Sequence, residues 1–256
     1  LEPRFQQLVE AIKFVWASTY FRVAKDYCKA TNLDIHTEKM AVIIQKMVGK
    51  RHQNRYYPEL SGVGRSYNFY PVKPARPEDG VVSLALGLGK TVVDGGKTWT
   101  YSPKYPTIPP PFKTIQDTLQ ETQNDFWVVN MSEEYEYNPI KETEHMLQEN
   151  IRTAENDQVL EHLVSTYDLE TDRLSMGMGG NGPRVLTFAP LLHLSTIRFN
   201  NLINQILQTF ESRLSYPVEI EFAMTFNPHH FNLLQVRPMK IPKYSLAITE
   251  EELTHA

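Results

Sequence analysis

The segment PVEIEFAMTFNPHHFNLLQVRPM, residues 217–239, carries the pattern on which the fold turns. Its first half alternates. Val218, Ile220 and Phe222 fall on one side of an extended strand, Glu219 and Glu221 on the other. Its second half alternates too, with Leu234 and Val236 on one side and Gln235 and Arg237 on the other. FNPHH supplies turn-forming residues between them. A hairpin about Pro228 sets Glu221 across from Gln235 and Glu219 across from Arg237. One face is then apolar, and the other gathers two carboxylates, an amide and a guanidinium. Carboxylate and amide oxygens are hard ligands of the kind Mg²⁺ accepts beside nucleotide phosphates. A guanidinium clamps phosphate. The same spacing also fits an amphipathic edge hairpin with Glu219–Arg237 as a cross-strand ion pair, so the pattern alone leaves both readings open.

Two glycine clusters bear on the alternatives. LALGLGKTVVDGG, residues 84–96, ends like a P-loop at Gly89-Lys90-Thr91, but Leu84 stands where the first glycine is needed. The following helix has room for about one turn, too short for a phosphate cradle. A tight strand-to-helix turn is expected instead. GMGGNGPR, residues 177–184, matches a dinucleotide glycine spacing, yet Pro183 and a strand follow where a helix is required, so a loop is expected.

The 256 residues, 41% of them hydrophobic, suffice for one large domain or two closely joined lobes. A net charge of −4 gives no global pull toward nucleic acid. The apolar runs fall short of the roughly 20 residues of a membrane span, and no signal peptide is visible. The one cysteine, Cys28, needs no oxidising compartment and reads as a buried helical residue. The cytoplasm is the expected location. The chain opens at Leu1, directly in a helical pattern, and so reads as a piece of a longer protein.

Leu8, Ile12, Val15 and Trp16 recur at helical spacing, and residues 3–30 are expected to form two helices. KMAVIIQKMV, 39–48, reads as a strand. Residues 49–62 read as a polar loop whose basic cluster, Lys50, Arg51, His52 and Arg55, is solvated. Strands are expected over 63–72, 81–86, near Trp99, over DFWVVNM (125–131), and in PRVLTFAPLL (183–192). Residues 103–113 read as a proline-rich linker and NDQVLEHLVSTYDLE (156–170) as an amphipathic helix. The clearest helix spans 196–214, with Ile203, Ile206, Leu207 and Phe210 on one face. His229 and His230 are expected in a solvent-facing turn, and His36, His52, His145, His162, His193 and His255 show no metal-ligand spacing. The mixture indicates an α+β (α/β) fold.

EIEF (219–222) with LLQVRP (233–238) resembles the C-terminal ATP-grasp motif of the phosphoenolpyruvate synthase and pyruvate phosphate dikinase family. Further segments resemble that family in its own order: AIKFVWASTYFRVAKDY (11–27), MAVIIQKMV (40–48), ELSGVGRSYNFYP (59–71) and LGLGKTVVDGG (86–96). The resemblance covers about residue 8 to 239. It implies an ATP-grasp-like fold of mixed sheets flanked by helices in two lobes. Residues 1–256 would then be one nucleotide-binding domain lacking its N-terminal lobe, with the linker inside it. It implies Mg²⁺ at Glu221 and Gln235 with Glu219 beside them, Arg237 on the phosphates, and Gln45, Met47 and Val48 at the adenine edge. Glu221 and Arg237 would serve catalysis. The implied activity is ATP-dependent phosphorylation of a histidine on a separate domain, with a pyruvate-binding domain as further partner, and no nucleic acid or membrane. Lys90 stands where the family has Glu, and GRSYNFYP replaces its Phe-Thr-x-x-Pro. The family's phosphate-binding Lys and Arg motifs and its phosphohistidine motif are not found in this sequence. Alternatives are a non-catalytic module of the same fold and a related dikinase acting on another acceptor.

Overall fold

A computed structural model describes residues 2–132, 145–194 and 196–239. His255 therefore lies outside the described residues. The described chain divides into two units, one running to Met47 and one beginning at Val48.

The first unit holds α1 (Glu2–Ser18) and α2 (Arg22–Thr31), the two helices expected. Asn32 ends α2 in the left-handed region, and the Leu33 amide donates to the Cys28 carbonyl, a common way to close a helix. Cys28 is buried, as expected. Residues 39–48, expected as a strand, have no regular structure, and Ile43 is 86% exposed. An apolar run becomes a strand only when another strand satisfies its backbone, and none among the described residues pairs with it.

Among its described residues the second unit carries twelve strands and five α-helices. In order they are β1 (Lys50–His52), β2 (Arg55–Tyr57), β3 (Leu60–Arg65), β4 (Val81–Ala85), α3 (Lys90–Val93), β5 (Trp99–Tyr101), α4 (Ile115–Glu121), β6 (Asp125–Asn130), β7 (Met146–Asn150), α5 (Ile151–Asn156), β8 (Val164–Asp168), β9 (Arg173–Met176), β10 (Arg184–Leu186), α6 (Ala189–His193), α7 (Phe199–Leu214), β11 (Val218–Thr225) and β12 (His230–Pro238). Three sheets result, ordered β12-β11-β3-β4-β5, β1-β2-β6-β7 and β10-β8-β9. The fold is α+β, and every pairing among the described residues is antiparallel.

The five-stranded sheet is two-faced. Its inner face presents Val82, Leu84, Val218, Ile220 and Phe222, all buried, to α7 through Ile203 and Leu207. Phe222 packs between Phe199, at 5.9 Å between ring centroids, and Phe231, at 5.1 Å. Its ring occupies the space over Gly62 on β3, where a Cβ would overlap it. The residue is glycine there because the neighbouring strand's largest side chain needs the room.

Several expectations shift. Residues 156–170 are not a helix: α5 ends at Asn156, and β8 takes the β-forming run Val164-Ser165-Thr166-Tyr167. Val159, Leu160, Leu163 and Val164 fit a helical stripe, but all are buried in a turn and strand. β3 lies earlier than expected, at 60–65, and residues beyond it form turns. The basic cluster forms the β1–β2 hairpin and is largely paired. Lys50 meets buried Glu59 at 3.0 Å, and Arg55 meets Asp157 at 2.9 Å beside the Tyr57 hydroxyl. Residues 103–113 fold back within the second unit as turns, held by Lys104 on Asp79 at 2.6 Å.

Gly62→Ala should destabilise the protein by about 1–3 kcal/mol, read from urea unfolding, and Phe222→Leu in the same chain should recover part of the loss. A full-strength Gly62→Ala protein would refute this packing. A second expectation concerns pH. Burial holds His52 and His162 below the ordinary histidine value of 6.5, against nearby Asp157 and Glu59 for His52 and Glu161 for His162. The unfolded chain then binds more protons as pH falls through that value, so this contribution is complete above it and lost below. Between about pH 7.5 and 5.5 the unfolding midpoint should fall, and His52→Gln/His162→Gln should fall less. An equal fall in that variant would place the dependence elsewhere.

Candidate nucleotide-binding face

β11 lies between β12 and β3, so each outward side chain on it has neighbours on both sides. Glu219 stands opposite Arg237 on β12 and Arg65 on β3. Arg65 Nε donates to Glu219 Oε2 at 2.5 Å, and Arg237 Nε donates to Oε1 at 2.6 Å, with its Nη2 on the same oxygen. Glu219 is 6% exposed. A buried carboxylate needs charged or hydrogen-bonding partners, and here each oxygen has a guanidinium. The arginines reach the surface, with side chains 39% (Arg65) and 54% (Arg237) exposed.

Two residues along β11, Glu221 is half-buried opposite Gln235 and Val63. Neither Glu221 nor the exposed Gln235 makes a side-chain hydrogen bond or ion pair among the described residues. The expected cross-strand pairs, Glu219 with Arg237 and Glu221 with Gln235, are both present. They depend on a bulge. From the turn, Thr225 pairs with His230 and Phe222 with Leu233. Continued unbroken, that register sets Glu221 against Leu234 and Glu219 against Val236. Leu234 is the extra residue that restores Gln235 and Arg237 to the carboxylate face.

Of the remaining predicted site residues, Gln45 and Met47 are exposed in the irregular end of the first unit, and Val48 opens the second, half-buried. The glycine turn after β4 is the tight strand-to-helix turn expected. Gly87 has φ +81°, its carbonyl accepts from Ser61 Oγ at 2.6 Å, and α3 spans four residues. Lys90 turns to Asp94 at 2.5 Å and lies 5.7 Å from the Trp127 ring centroid. The 177–184 cluster is a turn between β9 and β10, as expected. Arg65 is the site residue that sequence reasoning missed. Its local signal was only its place in an extended run, because the Glu219 partnership joins residues 154 positions apart.

Glu221 and Gln235 offer oxygens with no partner among the described residues, the donor types Mg²⁺ takes with phosphates. Glu219 has both oxygens engaged. Arg237 keeps its Nη1 without a bonded partner among the described residues.

The antiparallel sheet brings a carboxylate, an amide and a guanidinium into register on one face. The chain belongs to the family described as pyruvate phosphate dikinase, AMP/ATP-binding domain, which matches residues 3–254. Over 94 residues it is 35% identical to phosphoenolpyruvate synthase from Aeropyrum pernix, a stretch covering 36% of this chain and 10% of that protein. The family resemblance read from the sequence is thus confirmed, as is its assignment to an AMP/ATP-binding domain. Among the described residues, no helix is long and apolar enough to cross a membrane.

The clamp yields a stability test. Arg65→Ala/Arg237→Ala strands the buried Glu219 charge and should cost about 3–5 kcal/mol in chemical denaturation. Adding Glu219→Gln should recover much of that loss. No recovery would mean that the two arginines contribute mainly by packing.

Proposed function

We propose that this chain is the ATP-binding part of a phosphoenolpyruvate synthase-like phosphotransferase, in which Mg-ATP phosphorylates a histidine on a separate domain. The observation that carries this reading is the Glu221–Gln235 couple, its side chains without a partner among the described residues, beside Arg237 in register on one sheet face. Glu221 and Gln235 would hold Mg²⁺, and Arg237 would contact phosphate oxygens. Glu219 would act by orienting Arg237, its carboxylate being shared between two guanidinia. Bound Mg²⁺ would supply charge neutralisation to the phosphates. Phosphoryl transfer depends on positioning and charge compensation more than on a protein nucleophile, and the face offers both. Gln45, Met47 and Val48 would border the adenine. The histidine acceptor and a pyruvate-binding domain would be further parts of the full-length protein, working in the cytoplasm.

One observation favours a second reading, a binding module of the same fold without catalysis. Lys90 occupies the turn position where the family resemblance expects a carboxylate, and it is committed to Asp94.

Calorimetric titration with ATP, with and without Mg²⁺, tests the proposal. Binding should be Mg-dependent, and Glu221→Ala/Gln235→Ala should weaken it by at least roughly tenfold, about 1.4 kcal/mol. Equal affinity in that variant, or affinity indifferent to Mg²⁺, would sink the assignment of these two side chains. Nucleotide binding without transfer to a histidine in the full-length protein would favour the non-catalytic module.

A further inference from the structure

A cavity of about 470 Å³ opens on the same outer face of the five-stranded sheet, at its Arg65 end. Its floor includes Ser83 on β4 and Thr100 on β5, whose hydroxyls bond each other at 2.9 Å. One wall is the turn after β3, with Tyr67 and Phe69 edge-to-face at 5.2 Å between centroids. The opposite wall is the proline-rich segment, through Tyr105, Ile108 and Pro109–Pro111. The volume suits a small organic ligand. The walls are rings and apolar side chains, and Arg65 is the one charged residue among those lining it. Arg65 spends Nε on Glu219, and its terminal nitrogens bond nothing among the described residues. With Arg237 on the same carboxylate, two guanidinia face one negative charge at this end of the sheet.

We propose that this cavity binds a small aromatic anion, a ring held between the Tyr67–Phe69 wall and the proline wall with its phosphate or carboxylate on Arg65. Phe69, 46% exposed, and Tyr70, 90% exposed, line the same cavity, a contiguous exposed apolar rim of the kind that marks a ligand groove. Aromatic walls favour offset or edge contacts with a planar group. The fork of a guanidinium already fixed through Nε is preorganised for an oxyanion. The site is distinct from the Glu221–Gln235 couple, which does not line the cavity. It shares Arg65 and the Glu219 clamp with the nucleotide reading, but not the proposed metal ligands.

The test titrates the protein with phenyl phosphate and, separately, 4-hydroxybenzoate, following tyrosine fluorescence and heat. Inorganic phosphate and phenol are the half-ligand controls. Saturable binding of one or both aromatic anions is expected, roughly tenfold tighter than either control. The stronger of the two identifies the anionic group. Phe69→Ala/Tyr70→Ala, which alters only exposed rings, should weaken that probe at least about fivefold, and Arg65→Lys should do the same while keeping a cation beside Glu219. Glu221→Ala should leave the probe unchanged while reducing Mg-ATP binding, which separates failure here from failure of the nucleotide reading. Absence of saturable binding by both probes overturns the proposal. So does unchanged affinity in Phe69→Ala/Tyr70→Ala. A parallel loss of ATP and probe in that variant also overturns it, since the cavity would then belong to the nucleotide.

Discussion

The Glu219 carboxylate, buried between Arg65 and Arg237, ties three strands together at one register position. An unpaired charge at that depth would be costly, so β3, β11 and β12 must present their partners at the same level. Everything else on the face is set from there. Glu221 falls one pleat further along, Gln235 falls opposite it, and Arg65 arrives at the edge of the aromatic cavity. The apolar side of the same strands secures the arrangement from beneath, with Phe222 over Gly62 and α7 packed below.

The hairpin was legible in the sequence because its information is local. Alternation over 218–222 and 234–237 assigns faces, and a turn between them brings the two strands together, while the final pairing of Glu221 with Gln235 also needs the bulge at Leu234. The α7 helix was legible for the same reason, as Ile203 and Leu207 recur on one stripe. Where the reading failed, distant partners decided the outcome. Residues 39–48 have strand-like composition but no pairing partner among the described residues. The stretch after Asn156 has helix-like spacing, yet Val164 to Asp168 pairs with both β9 and β10. Lys50 and Arg55 look like surface charges until Glu59 and Asp157 are brought beside them. Arg65 belongs with these cases.

The family match makes this chain an AMP/ATP-binding domain, and the departures from the family pattern have physical positions. Arg65 stands in the segment that replaces Phe-Thr-x-x-Pro, and it puts a guanidinium against Glu219. Lys90 replaces a carboxylate at the glycine turn and is neutralised locally by Asp94. Both substitutions add positive charge near one sheet, and both are answered by a neighbouring carboxylate. The fold therefore accommodates them without leaving a bare buried cation.

Among the described residues, β12 is one of the two edge strands of its sheet. The two side chains it lends to the face, Gln235 and Arg237, ride on the strand with one pairing neighbour, while Glu219 and Glu221 ride on an interior strand. Edge strands open more readily than interior ones. Fraying of β12 would dismantle half of the face and leave its acidic half standing. For a ligand held as proposed, capture would require this strand to be closed, so binding and strand closure would be one thermodynamic event.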